Sequence, residues 1–226
     1  PDVAVAVTGV DEIAVLRNTS AQGAIALVPA LRLAVGGDAR NLAGADITGD
    51  SLPDLVYTID SPRALHVTRS TGVAPAPLAF DAPSITALTF NPGGMAVADI
   101  DADNDPAPIV VGISSNILRV FRNDAGTLVS TNSVALAHPG TIVRAGNLNR
   151  DNVPDLVVAT TNRVTTLFGV AGELPTVDAT ATINAPFWTN SLQDIALADA
   201  DRDGDDDLLA AATAPASHLA VVQNLG

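Results

Sequence analysis

Apolar residues fall in short runs of Val, Ile, Leu, Ala and Thr, broken by Gly, Pro, Asn and Asp. Such runs predict short β-strands. No sustained helical period interrupts them. The runs recur in a fixed order. A small apolar stretch comes first: residues 41–45, 95–98, 141–145 and 194–198. An Asp-rich segment follows, then a strongly apolar run at 54–59, 109–113, 155–159 and 207–211. A third strand comes next, often ending in Asn or Gly, at 12–18, 64–70, 117–123, 164–169 and 218–224. A looser Thr-, Ala- and Pro-rich stretch closes each unit, as in 127–136.

The Asp-rich segments align over nine positions without gaps. They begin at Asp46, Asp99, Asn147 and Asp199, a period of about fifty residues, and Pro1-Asp2-Val3 repeats the tail seen at Pro53-Asp54-Leu55. The approximate units run 1–45, 46–98, 99–146, 147–198 and 199–226, read as one repeat domain. Four strands per unit suit an all-β propeller whose blades hide their faces only against neighbours. About four and a half units predict five blades with incomplete ends, or a fragment of a larger propeller. The competing reading is a β-sandwich whose Asp-Gly-Asn clusters are turns. It does not account for the same one-three-five-nine placement of oxygen-bearing residues at a fifty-residue period.

Charge sharpens the picture. The net charge is −14, all eleven basic residues are Arg, and there is no Cys. This balance argues against nucleic acid and anionic membrane surfaces as partners. The absence of Cys excludes a disulfide framework and thiolate chemistry. No apolar run is long enough for a spanning helix, so membrane insertion is not expected.

Fifteen of the twenty-five acids lie in the four segments. A tightly wound loop delivers alternate side chains to one centre, and calcium takes six to eight oxygens. The candidate ligands are Asp46, Thr48, Asp50 and Asp54; Asp99, Asp101 and Asp103, with Asp105 standing in where position nine is Ala107; Asn147, Asn149, Asp151 and Asp155; and Asp199, Asp201, Asp203 and Asp207. The fourth loop is expected to be the strongest, and three to four calcium ions are expected in all. An EF-hand would need Glu at position twelve, where the last loop has Ala210. Transition metals would favour His, and His66, His138 and His218 lie outside every loop.

These loops, the Pro-Asp-Leu-Val that follows them and the later Val-x-x-Asn-x-Gly strand resemble the VCBS and FG-GAP repeats of integrin-α-type propellers. Clear Phe-Gly and Gly-Ala-Pro elements are missing, so VCBS-like is the better label. The resemblance implies a calcium-bound propeller outside the cytoplasm, at the cell surface or secreted. It also implies a non-catalytic module for adhesion, ligand binding or assembly.

Three other functions deserve comparison. A filament subunit would take missing strands from neighbouring chains in head-to-tail self-association. A glycan-binding lectin, or an accessory domain of a secreted enzyme, would use Trp188, beside Phe187, as its sugar platform. An enzyme would need catalytic residues, and no nucleophile elbow, HExxH or phosphate loop is present. Asn18-Thr19-Ser20 is a candidate N-glycosylation site after a strand.

Overall fold

The computed structural model describes residues 2–72, 77–160, 162–173, 175–183, 192–213 and 217–224. The chain divides into two compact units, Pro1–Pro92 and Gly93–Gly226. The first holds two antiparallel sheets. One has the order β1 (Val3–Val7), β2 (Glu12–Asn18), β3 (Leu27–Ala34). The other has the order β4 (Ala39–Ala45), β5 (Asp54–Asp60), β6 (Arg63–Thr68), β7 (Ser84–Ala87).

The second unit holds three sheets. They are β8 (Pro92–Ala98), β9 (Ala107–Gly112), β10 (Ile117–Asp124), β11 (Thr127–Ala135); β12 (Ile142–Gly146), β13 (Asp155–Ala159), β14 (Val164–Phe168), β15 (Thr176–Ile183); and β16 (Leu192–Ala198), β17 (Asp207–Ala212), β18 (His218–Val222). Each is an up-and-down meander. None of the described residues forms a helix long and apolar enough to cross a membrane.

The expected order of strands is the observed one. Each Asp-rich loop joins the first strand of a four-strand pattern to the second. The sheet β1–β3 corresponds to second, third and fourth strands, because Asp2 precedes β1 as Asp54 opens β5. The sheet β16–β18 corresponds to first, second and third.

The second strands β5, β9 and β13 are the most buried. Every residue of β9 and β13 is buried, as are residues 54–59 of β5. A strand buried on both faces reads as a continuous apolar run, and these segments do. In β13 alternate side chains serve two different cores. In the second unit Ile109, Val111, Leu118 and Val120 pack against Val143, Leu156, Val158 and Leu167. The opposite face of the same middle sheet sends Val157, Ala159 and Val164 against Leu192, Ile195, Leu208, Ala210 and Ala212. The first unit repeats the scheme, with Ile13 and Val15 against Leu55, Tyr57 and Ile59. Each such aliphatic side chain contributes about 1.5–3 kcal/mol on burial, so these inter-sheet layers dominate the fold's stability.

First strands approach one another closely. A Cβ on Gly94 of β8 would lie 2.7 Å from the backbone nitrogen of Val143 in β12. A Cβ on Gly140 would lie 2.6 Å from Val158 Cγ1. Glycine is therefore a packing requirement at these two positions. Gly94→Ala should cost about 1–3 kcal/mol through forced backbone displacement. Thermal unfolding would show a drop of about 2–4 °C for each kcal/mol.

His66 on β6 faces the inter-sheet core of the first unit. It is 5% exposed, its ring centroid lies 5.0 Å from that of Tyr57, and its Nδ1 has no hydrogen-bond partner. Burial lowers its pKa below the ordinary 6.5. As pH falls below about 6.5 the unfolded chain takes up this proton before the folded one, so stability falls with it. Melting temperatures measured from about pH 7 down to about pH 5.5 should fall for the wild type and fall less for His66→Phe.

Candidate metal loops

The four loops share one backbone path. Positions four and six are left-handed in every case: Gly49 and Ser51, Ala102 and Asn104, Arg150 and Asn152, Arg202 and Gly204, with φ between 58° and 102°. Six of these eight residues are not glycine. Non-glycine residues hold such angles only where surrounding contacts impose them.

Those contacts are visible. The first-position carboxylate accepts from the amides of positions five and six. Asp46 takes Asp50 N at 3.1 Å and Ser51 N at 2.8 Å. Asp99 takes Asp103 N at 3.0 Å and Asn104 N at 2.9 Å. Asp199 takes Asp203 N at 3.1 Å and Gly204 N at 3.2 Å. The fifth-position carboxylate accepts from the seventh amide in all four loops: Leu52, Asp105, Val153 and Asp205. The coil that results turns positions one, three and five inward.

Two carboxylate trios converge among the described residues. Asp99, Asp101 and Asp103 each offer an oxygen within 4.8 Å of the others, and so do Asp199, Asp201 and Asp203. Burial, then the neighbouring Asp103 and Asp99 carboxylates, raise the pKa of Asp101. This like-charge crowding is what a cation would relieve. In the first and third loops, polar side chains replace part of the trio. Asn147 Oδ1 is buried without a hydrogen-bond partner. The Thr48 hydroxyl, also buried, leans on the Asp50 carboxyl without completing a bond of good geometry. Carboxylate, amide and hydroxyl oxygens with no sulfur or imidazole form a hard donor set that fits calcium.

The ninth position does something else. Asp54, Asp155 and Asp207 are fully buried and do not join the converging groups. One oxygen of each takes an amide from the start of its own loop: Ile47 and Thr48, Leu148, or Ala200. The other takes the amide just past the third strand: Ser70 at 2.8 Å, Gly169 at 2.9 Å and Asn224 at 2.8 Å. Asp2 makes the matching bond to Asn18 N at 2.8 Å.

Where Ala107 replaces the Asp, the buried Asn123 takes over from the other side. Its amide donates to Pro106 O and its oxygen accepts from Gly126 N. Ala107 thus removes a tie and leaves the second trio whole. Asp105 lies outside that trio.

Arginines distinguish the loops further. Arg69 pairs with Asp50 at 3.0 Å, and the Leu52 amide together with this guanidinium holds the Asp50 pKa low. Arg150, at position four of the third loop, reaches Asp203 and Asp205 of the fourth at 2.9 Å each. Burial raises the Asp205 pKa, while the Asp205 amide and Arg150 lower that of Asp203. Asp206 joins the same two loops by accepting Asn147 N at 2.8 Å, while its own amide donates to Asn147 O. Among the described residues no Arg pairs with the second trio at contact distance. The fourth loop has the most carboxylates but shares them with Arg150; the second has fewer and shares none. This coupling between loops was not legible in the sequence, since it joins residues about fifty apart.

The remaining candidates lie elsewhere. Asn18 is exposed, with Oδ1 accepting from Ser20 N. His138 pairs with Arg163, and His218 lies half-buried on β18. Trp188 and Phe187 lie outside the described residues.

No family model and no curated protein sequence matches the chain. Solved structures do match. An Agrocybe aegerita lectin described as specifically recognising non-reducing terminal N-acetylglucosamine aligns with a TM-score of 0.62 and 14% identity, over 100% of this chain and 63% of that one. BBS1N, crystallised in complex with ARL6DN, aligns with a TM-score of 0.57 and 11% identity, over 97% of this chain and 62% of that one. The chain spans about three-fifths of the length of these structures. The likeness is one of fold.

The two kinds of carboxylate should separate by mutation. Asp207→Ala leaves the Ala200 and Asn224 amides without their acceptor, at about 1–3 kcal/mol for each buried group. The loss of melting temperature should be the same in EDTA and in calcium. A loss confined to calcium would assign Asp207 to the metal instead.

Proposed function

We propose that the chain is a non-catalytic, calcium-stiffened β-propeller module of the VCBS-like kind, working outside the cytoplasm as a binding or assembly domain. The observation that carries this reading is the convergence of two Asp trios in loops of identical backbone path. A coil of this kind collects up to three carboxylates at one point and destabilises itself by repulsion until a divalent cation arrives. Asp99, Asp101 and Asp103 would hold one ion, and Asp199, Asp201 and Asp203 another. Thr48 with Asp46 and Asp50, and Asn147 with Asn149 and Asp151, supply weaker oxygen sets.

The ions would fix the turn between first and second strands without performing chemistry. Support for a propeller comes from the repeated meanders buried on both faces and from the two solved folds. The same comparisons support a protein or glycan as the bound partner, since one neighbour is complexed with a protein and the other recognises a sugar.

Thermal unfolding in EDTA and in millimolar calcium tests the reading. At about ten times the dissociation constant each occupied site adds roughly 1.4 kcal/mol. That corresponds to about 2–4 °C per kcal/mol. Asp201→Asn and Asp101→Asn should each shrink the calcium-dependent rise while leaving the EDTA value nearly unchanged. An unfolding curve indifferent to calcium sinks the metal assignment.

A further inference from the structure

Arginine reaches the fifth loop position twice. In the first loop Arg69, just past the third strand of the same sheet, pairs with Asp50 at 3.0 Å. In the fourth loop the guanidinium comes from the preceding repeat. Arg150 Nη2 lies 2.9 Å from Asp203 Oδ2 and 2.9 Å from Asp205 Oδ2. One nitrogen thus bridges a carboxylate of the converging trio and a carboxylate beside it.

Asp205 makes this contact more than a surface ion pair. It is 1% exposed, and neither of its oxygens accepts a hydrogen bond of good geometry, so the contact with Arg150 is ionic. A carboxylate withdrawn this far from water needs a counter-charge, and Arg150 supplies it. An acid buried at the seventh position is peculiar to the fourth loop. The first has Leu52 there and the third Val153, and Asp105 of the second is half-buried.

The guanidinium is held from both ends. Its backbone belongs to the third loop, which is tied to the fourth by Asn147 N donating to Asp206 Oδ2 and Asp206 N donating to Asn147 O, each at 2.8 Å. Its side chain runs over Gly204, where a Cβ would lie 3.7 Å from Arg150 Nε. Asp203 Oδ1 accepts from Asp205 N at 3.2 Å, so both Asp203 oxygens are engaged. An ion seated on Asp203 must therefore displace a guanidinium. Asp103, at the same position of the second loop, faces no such exchange among the described residues.

Resting on the calcium reading of the trios, we infer that Arg150 is a built-in competitor for calcium at the fourth loop, so that the second loop fills first although the fourth has more carboxylates. The ion that enters the fourth loop leaves Arg150 with Asp205 alone.

Calcium titration by equilibrium dialysis tests the competition and the metal reading separately. Asp101→Asn and Asp201→Asn assign binding phases to the second and fourth loops. In the wild type the tighter of these two phases should be the one lost in Asp101→Asn. Arg150 is 46% exposed, and an exposed ion pair is worth at most about fivefold in an equilibrium constant. Arg150→Met keeps an apolar stem and removes the charge. It should tighten the fourth-loop phase by roughly that fivefold and leave the second-loop phase where it was. Because Arg150→Met leaves Asp205 uncompensated, a second variant adds Asp205→Leu, the residue type of Leu52 in the first loop. This double variant removes both the buried charge and any recruitment of Asp205 by the ion, and it should show the same tightening. A fourth-loop phase unmoved in the double variant overturns the inference and leaves the metal reading standing. So does a wild type in which the fourth loop fills first. Absence of saturable uptake in the wild type and every variant removes the metal reading, and the inference with it.

Discussion

A buried carboxylate at the ninth loop position is the constraint that organises three of the four loops. Asp54, Asp155 and Asp207 each tie the entry of the loop, the first residue of the second strand and the exit of the third. Full burial of a carboxylate is unfavourable unless hydrogen bonds satisfy it, and backbone amides do so here. The coil itself does not require this tie, since the Ala107 loop follows the same backbone path and its trio also converges. The same tie sets where the third strand stops. Where the acid is missing, the Asn123 side chain links the end of the third strand to Pro106 and to the turn at Gly126.

The second constraint is the burial of second strands on both faces. A sheet with two apolar faces has no stable existence alone, so the repeat must stack. Ion pairs contribute little by comparison. Arg144 and Asp194 meet at 2.6 Å, but both are well exposed, and such pairs are worth roughly 0.2–1 kcal/mol. A single buried Leu in the layers outweighs that. The interlocked third and fourth loops are better read as fixing the relative placement of two neighbouring turns than as a source of stability.

Much of this was legible in the chain itself. Val, Ile and Leu runs gave second and third strands nearly to the residue, as with Asp155–Ala159 and Glu12–Asn18. Fourth strands were the weakest signal. β3 carries Pro29 and is largely exposed, and β7 is only four residues long. An outer strand packed on little has no alternation to read. The acids at positions one, three and five converge in the second and fourth loops. Position nine was grouped with them because it is also Asp, and spacing cannot separate an inward carboxylate from one facing the backbone. Arg150 offered no sequence signal, because its partners belong to the next repeat.

The central claim is that the loops divide their acids between a cation and the backbone. Counting bound calcium by equilibrium dialysis tests it most directly. Uptake should be saturable, with one ion lost in Asp101→Asn, a different one lost in Asp201→Asn, and none lost in Asp155→Asn while the fold persists. Absence of saturable uptake, or loss of an ion in Asp155→Asn alone, would contradict it.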